Sequence, residues 1–176
     1  AAKVDLAIAT LNRQQPGDSD KAIELLDDVL ERDPQCLRAV YCRAILLLNV
    51  GRPVDALAGF RQVFQADPTD GYAAYYMAQC LFELGEFDQA LAQHRRAQEE
   101  DPYLRSAYYG AFQAAQRLRR ADEARIYLGQ FQKLKDNPQA RLAEIKYARM
   151  GPKAEVRALD RASSSAKTPP DGPVFA

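Results

Sequence analysis

Residues 51–68 read GRPVDALAGFRQVFQADP, a segment that opens with a glycine, carries Ala56 near its start and ends in Asp67-Pro68. The same pattern stands one period earlier and one period later in the chain. The three Asp-Pro pairs are 34 residues apart, at Asp33-Pro34, Asp67-Pro68 and Asp101-Pro102. A period of this length is that of one helix–turn–helix unit, so the chain is predicted to be a stack of such units.

Two further columns keep the same register. Seventeen residues before each proline stands a glycine, and twelve before it an alanine: Gly17, Gly51 and Gly85, then Ala22, Ala56 and Ala90. The glycine is predicted to end the first helix and allow the turn. The alanine lets two helices approach closely. The proline ends the second helix, because the residue before a proline avoids helical backbone angles.

With these columns the chain resembles the tetratricopeptide repeat family, whose pattern has glycine in the turn, a small residue after it and a closing Asp-Pro. The units are about 3–36, 37–70, 71–104 and 105–138. The fourth departs from the pattern, since Arg119 replaces the turn glycine and Pro138 comes two residues late. The resemblance implies an all-α fold, a right-handed α-solenoid of about four helix pairs whose first helices line a concave face.

Residues after the fourth unit are predicted to close the stack and then leave it. Asn137 and Pro138 suit the start of a capping helix over 138–150, and Gly151-Pro152 suits its end. The array would thus occupy residues 1–152. From Arg161 the composition becomes rich in serine and proline, so residues 153–176 are predicted to be a linker or tail. We expect this tail to dock, with Val174-Phe175 as an apolar anchor.

The resemblance also implies where a partner binds, because the family holds protein or peptide segments on its concave face. Tyrosine is concentrated there, and its ring offers contact area while its hydroxyl can bond a peptide backbone. We expect replacing Tyr41 and Tyr72 together by alanine to weaken partner binding with little effect on the helical melt. The predicted groove residues are Arg38, Tyr41, Cys42, Ile45, Asn49, Tyr72, Tyr75, Tyr76, Gln79, Phe82, Tyr109, Gln113 and Gln116.

Other hypotheses stay open beside the scaffold. The tyrosines can instead serve packing between helices. The chain can be a structural arm of a larger multidomain protein or complex, with its groove filled by its own tail or a neighbour. Residues 103–110 and 145–152 look like repeat regions that precede FG-GAP/VCBS-type β-propellers in bacterial proteins. A third hypothesis is homo-oligomerisation through the solenoid.

Composition argues against several partners. Lys plus Arg and Asp plus Glu number 24 each, and such a neutral chain has no general attraction to nucleic acid or anionic lipid. Chaperone-binding members of the family grip a C-terminal carboxylate with Lys, Asn and Arg, and the matching places here are uncharged: Ala7, Leu11, Cys42, Tyr72 and Tyr76. A chaperone tail is therefore not an expected partner.

Residues for catalysis or cofactor binding are sparse. His94 is the only histidine and stands in a packing column, and Cys36, Cys42 and Cys80 have no metal or disulfide spacing. Glycine-rich phosphate loops are absent. We therefore expect no enzyme, no cofactor and no metal. No run approaches the 18 apolar residues of a membrane helix. A soluble protein is expected, with cytoplasmic and bacterial extracytoplasmic locations both open.

Overall fold

The computed structural model of the protein describes residues 2–13, 15–144 and 149–155, and these form an all-α solenoid. Each helix packs mainly against its neighbours in sequence, and the first helices of successive units also contact one another more weakly. The eight described helices are α1 (Ala2–Asn12), α2 (Asp18–Arg32), α3 (Leu37–Asn49), α4 (Pro53–Ala66), α5 (Gly71–Glu83), α6 (Phe87–Glu100), α7 (Arg105–Arg117) and α8 (Ala121–Lys133). A 3₁₀ turn covers Pro152–Ala154.

The turn inside each helix pair uses a left-handed residue. Gly17, Gly51 and Gly85 have φ angles of 80°, 76° and 81°. After Gly51, the Arg52 N–H donates to the Leu47 carbonyl at 2.8 Å, which satisfies a carbonyl at the end of α3. In the fourth unit Arg119 occupies the same place with φ 59°. A non-glycine residue is strained in this region because its Cβ crowds the backbone.

Replacing Arg119 by glycine should therefore stabilise the protein. We expect a gain of about 0.5–1 kcal/mol in the free energy of unfolding, since relief of the left-handed strain exceeds the added chain entropy of glycine. Urea unfolding monitored by circular dichroism measures it. The reverse change, Gly85→Arg, is the matched control and should destabilise by a similar amount. A loss of stability in Arg119→Gly would contradict this account of the turn.

The alanine and Asp-Pro columns set the spacing between helices. Ala22, Ala56 and Ala90 are fully buried, each in the second helix of its pair. In the Asp-Pro turns each aspartate accepts a hydrogen bond from the N–H two residues later, as between Asp67 and Thr69 at 3.3 Å. The same bond forms at Asp33 and Asp101. These turns fix where each following helix begins.

The predicted capping helix over 138–150 is not present in residues 138–144, and residues 145–148 lie outside the described residues. Asn137 does not start a helix: its side chain accepts from the Gln139 N–H at 2.8 Å, as the aspartates of the earlier turns do. The chain then runs extended. Arg141 N–H donates to the Tyr103 carbonyl at 2.8 Å, and Arg105 N–H donates to the Arg141 carbonyl at 2.8 Å. The open N–H at the start of α7 is satisfied in this way, which favours the extended form.

Candidate functional site

The concave face holds part of the chain itself. We call residues 141–144 and 149–155 the return segment, because it runs from the start of α7 back to the start of α3. Ala143 N–H donates to the Ser106 hydroxyl at 2.9 Å. Further along, the Tyr41 hydroxyl donates to the Met150 carbonyl. The first helices of three successive units, α3, α5 and α7, therefore contact the return segment.

A glycine marks the closest approach of the return segment to the helices. Gly151 has φ 96°, and a Cβ added there would lie 2.6 Å from the Tyr41 hydroxyl oxygen and 2.8 Å from Tyr72 Cγ. Both distances are shorter than any contact a real Cβ makes. Met150 and Ala154, on either side, are both 2% exposed. Only glycine fits between the two tyrosines.

A lysine follows the glycine and meets two carboxylates. Lys153 Nζ lies 2.6 Å from Asp67 Oδ2 and 2.7 Å from Asp70 Oδ2. The other Asp70 oxygen caps α5 by accepting from the N–H groups of Tyr72 and Ala73, both at 3.0 Å. The hydrogen bond from Lys153, with one from Thr69, lowers the pKa of Asp67. Burial disfavours the Lys153 ammonium, but its hydrogen bonds to Asp67 and Asp70 outweigh this and raise its pKa.

An arginine holds the end of the return segment. Arg38 Nε donates to the Lys153 carbonyl at 3.2 Å, and Arg38 Nη2 donates to the Glu155 carbonyl at 2.9 Å. The same guanidinium pairs with Asp5 at 2.6 Å. Residues 153–155 thus lie against unit two, where a guanidinium fixed by Asp5 of unit one meets the carbonyls of Lys153 and Glu155.

An aromatic cluster lies under the return segment. Tyr41 packs edge-on against Phe60 and Tyr76, with ring centroids 5.8 Å and 6.1 Å away, and Phe60 stacks on Tyr76 at 5.3 Å. Burial raises the pKa of Tyr41 and of Tyr76 well above the ordinary value. It raises the pKa of Tyr75 to about 12. These phenols therefore stay neutral, and the Tyr41 and Tyr76 hydroxyls donate to the Met150 and Glu144 carbonyls.

The thirteen predicted groove residues fall into three sets. The first is covered by the return segment and the second lies in the core, while the third remains accessible. Covered are Arg38, Tyr41, Tyr72 and Tyr76; in the core are Cys42 and Ile45; accessible or half-buried are Asn49, Tyr75, Gln79, Phe82, Tyr109, Gln113 and Gln116. The sequence prediction missed Asp67, Asp70, Gly151 and Lys153. One signal was present: of the three Asp-Pro turns, only that of Asp67 has a second aspartate three residues later.

An open channel remains beside the return segment. Its volume is about 560 Å³, within the range of ligand pockets. The Leu48 and Asn49 end of α3 forms one side and Tyr75, Gln79 and Glu83 of α5 form the floor, while Ala143 and Glu144 of the return segment form the other side. The lining combines an apolar group, two amides and a phenol, which suits an extended peptide.

His94 has no role in this site. It is fully buried in α6, and neither ring nitrogen has a hydrogen-bond partner among the described residues. Its ring packs 5.7 Å from that of Tyr75 and fills the space left by Gly110, where a Cβ would lie 2.2 Å from the imidazole. Burial lowers its pKa to about 3, so the imidazole is neutral. Within the described ranges, no group of three or more His, Cys, Asp or Glu side chains is arranged for a metal ion.

Structural comparison finds the same fold in MamA. "Crystal structure of MamA" is 24% identical with a TM-score of 0.65, covering 68% of this chain and 70% of that chain. "MamA 41-end from Desulfovibrio magneticus RS-1" is 22% identical with a TM-score of 0.64, covering 75% and 71%. "MamA RS-1 ArsTM double mutant" is 21% identical with a TM-score of 0.70, covering 76% and 73%. At sequence identities below 25%, this structural similarity shows that the chains share a fold.

Sequence comparison identifies the repeats. Two family models, both described as tetratricopeptide repeat, match residues 6–58 and 47–114 and together span 6–114. No curated protein matches the sequence. None of the helices described here has the length and apolar character needed to cross a membrane. The array is of the type that serves as a protein–protein interaction scaffold, and the chain belongs to the tetratricopeptide repeat family.

Proposed function

We propose that the protein binds an extended segment of a partner protein in the open channel, beside its own return segment. The observation that carries this proposal is that the concave face already holds a non-α-helical stretch of polypeptide, the return segment. The Ser106 and Tyr41 hydroxyls and the Arg38 guanidinium bond the backbone of that polypeptide. The concave face is therefore chemically suited to binding peptide, and the open channel of about 560 Å³ on it is unfilled.

The channel offers groups that a second strand of peptide would need. The amides of Asn49 and Gln79 can each donate to a carbonyl and accept from an N–H. Leu48 and the face of Tyr75 offer apolar contact. Glu83 adds a carboxylate at one end. The partner segment we propose is thus mixed in character, with backbone groups exposed to the two amides.

This proposal changes the role of the tyrosine-lined groove predicted from the sequence. Tyr41 and Tyr76 are 0% and 3% exposed, and Tyr72 is 8% exposed. They contact the protein's own chain, which favours the alternative of a self-filled groove for that half of the face. A structural arm with no partner in the groove is the second candidate function. The open channel supports the binding function, because a structural arm has no need of it.

Selection from a random peptide display library tests the proposal. We expect peptides that bind the full chain and lose about thirtyfold in affinity to the Asn49→Ala/Gln79→Ala variant, since two hydrogen bonds contribute about 2 kcal/mol. Fluorescence anisotropy measures the affinities. The matched control is Gln65→Ala/Gln132→Ala on the exposed surfaces of α4 and α8, which should bind normally. Failure to select any peptide, or equal binding by both variants, would favour the structural arm.

A further inference from the structure

We propose that the face between α3 and α5 is a separate peptide-binding site with a sequence preference, and that residues 150–154 occupy it as an internal ligand. The ligand it takes is a short segment with the pattern apolar–Gly–x–Lys–Ala, whose glycine is left-handed and whose last three residues form a 3₁₀ turn. A partner peptide with this pattern would replace the return segment. The site differs from the open channel, and the proposal does not depend on that channel binding anything.

The first element of the pattern is the glycine. Any side chain at that position would meet the Tyr41 hydroxyl and the Tyr72 ring within 3 Å, and the backbone there is left-handed. Both tyrosines are held by the core, because Tyr41 is fully buried against Phe60 and Tyr72 belongs to the same buried cluster. They cannot yield to a larger residue, so the site selects glycine by shape.

The lysine is selected by charge. Asp67 and Asp70 point two carboxylate oxygens at one ammonium group, at 2.6 Å and 2.7 Å. The side chain of Asp70 is 8% exposed and is fixed by capping α5. Elsewhere in the array the place of Asp70 is taken by Cys36 and Leu104. The pair is therefore particular to the turn before α5, and it does not follow from the repeat pattern.

Hydrogen bonds to the backbone set the register, and burial decides the residues at the two outer positions. The Tyr41 hydroxyl donates to the carbonyl before the glycine, and Arg38 donates to the carbonyl of the lysine. Pro152 is exposed, which leaves the residue between glycine and lysine free to vary. Met150 and Ala154 are buried and call for an apolar and a small residue.

Replacement by a partner is governed by effective concentration. A tethered ligand typically competes at an effective concentration on the order of 1 mM. A peptide in solution must overcome this, so its apparent affinity for the intact chain is reduced by the fraction of chains with an empty site. Displacing residues 150–154 without changing the residues that form the site should therefore reveal the intrinsic affinity of the site for a peptide.

The full-length variant Gly151→Val/Lys153→Glu vacates the site, because valine collides with the tyrosines and glutamate is repelled by Asp67 and Asp70. The probe is a fluorescein-labelled peptide of residues 149–155, Arg-Met-Gly-Pro-Lys-Ala-Glu. We expect saturable binding to this variant and an apparent Kd at least about tenfold weaker for the unaltered chain. If the double variant lacks the helical circular dichroism signal, Lys153→Glu alone is used with the same expectations.

Three controls sharpen the test. Adding Asp67→Asn/Asp70→Asn to the vacated variant keeps the turn and the helix cap, since asparagine also caps helices, and should weaken peptide binding at least tenfold. Changing glycine to valine in the peptide should abolish binding. Adding Asn49→Ala/Gln79→Ala to the vacated variant should leave peptide binding unchanged. A failure of this proposal can therefore be distinguished from a failure of the proposal for the open channel.

Two results would overturn the proposal. One is a vacated variant with intact helical signal that binds no peptide, or binds it no more tightly than the unaltered chain does. The other comes from sedimentation. A dimer of the unaltered chain that Lys153→Glu converts to monomer would show that two copies exchange the segment, which is incompatible with an internal ligand.

Discussion

Replacing His94 by leucine should make the free energy of unfolding nearly independent of this residue's titration. The unaltered protein should lose about 2 kcal/mol of that free energy between pH 7 and pH 5, and the variant should not. The pKa of His94 is lowered by burial to about 3 in the fold, against 6.5 for the free side chain. As pH falls below 6.5 the unfolded chain takes up a proton that the fold refuses, so stability is full above 6.5 and declines toward pH 3. Urea unfolding at both pH values measures the slope.

The comparison is clean because His94 is the only histidine. The aspartates with lowered pKa, such as Asp67, lose their contribution only below about pH 4 to 5. Leucine suits the site, since Leu26 occupies the same column in unit one and is fully buried. The variant should also gain stability at pH 7, because two buried nitrogens without partners are removed. Equal slopes in both proteins would contradict this assignment.

Replacing Tyr41 by alanine should destabilise the fold by about 3–5 kcal/mol. The ring is fully buried between Phe60 and Tyr76, and its loss leaves a cavity and an unpaired Met150 carbonyl. Its burial replaces the expectation from sequence that this residue can be removed with little effect on the helical melt. Chemical unfolding followed by circular dichroism gives the value.

Tyr109→Ala is the matched control for Tyr41→Ala. Tyr109 is 42% exposed and should cost about 1 kcal/mol or less. Tyr41→Phe keeps the ring and removes the hydroxyl, so it should cost about 1 kcal/mol. If Tyr41→Ala and Tyr109→Ala are equally mild, Tyr41 is not the centre of the aromatic cluster.

The helix pairs were predictable because each is specified within 34 residues. Gly51 ends one helix, Ala56 lets the next pack, and Pro68 ends it, and every one of these effects is local. His94 in the packing column was predictable for the same reason. The need for a glycine at position 110 was not predictable, because it depends on the His94 imidazole of the preceding helix.

The return segment was not predictable from local sequence. Asn137-Pro138 suits both the start of a helix and a turn, and the choice is made by Tyr103 and Arg105, whose backbone groups bond Arg141. Lys153 meets Asp67 across 86 positions of the chain. Nothing near Lys153 indicates that contact, and the predicted docking of residues 156–176 lies outside the described residues.

The measurement that tests the central claim most directly is a nuclear Overhauser spectrum of the isotope-labelled full chain. The claim is that the return segment lies on the concave face, with Gly151 against Tyr72. We predict cross-peaks between the Gly151 Hα protons and the Tyr72 Hδ protons, with Gly151 Hα shifted by the ring. Gly151 resonances at random-coil positions, with no cross-peak to either tyrosine, would contradict it.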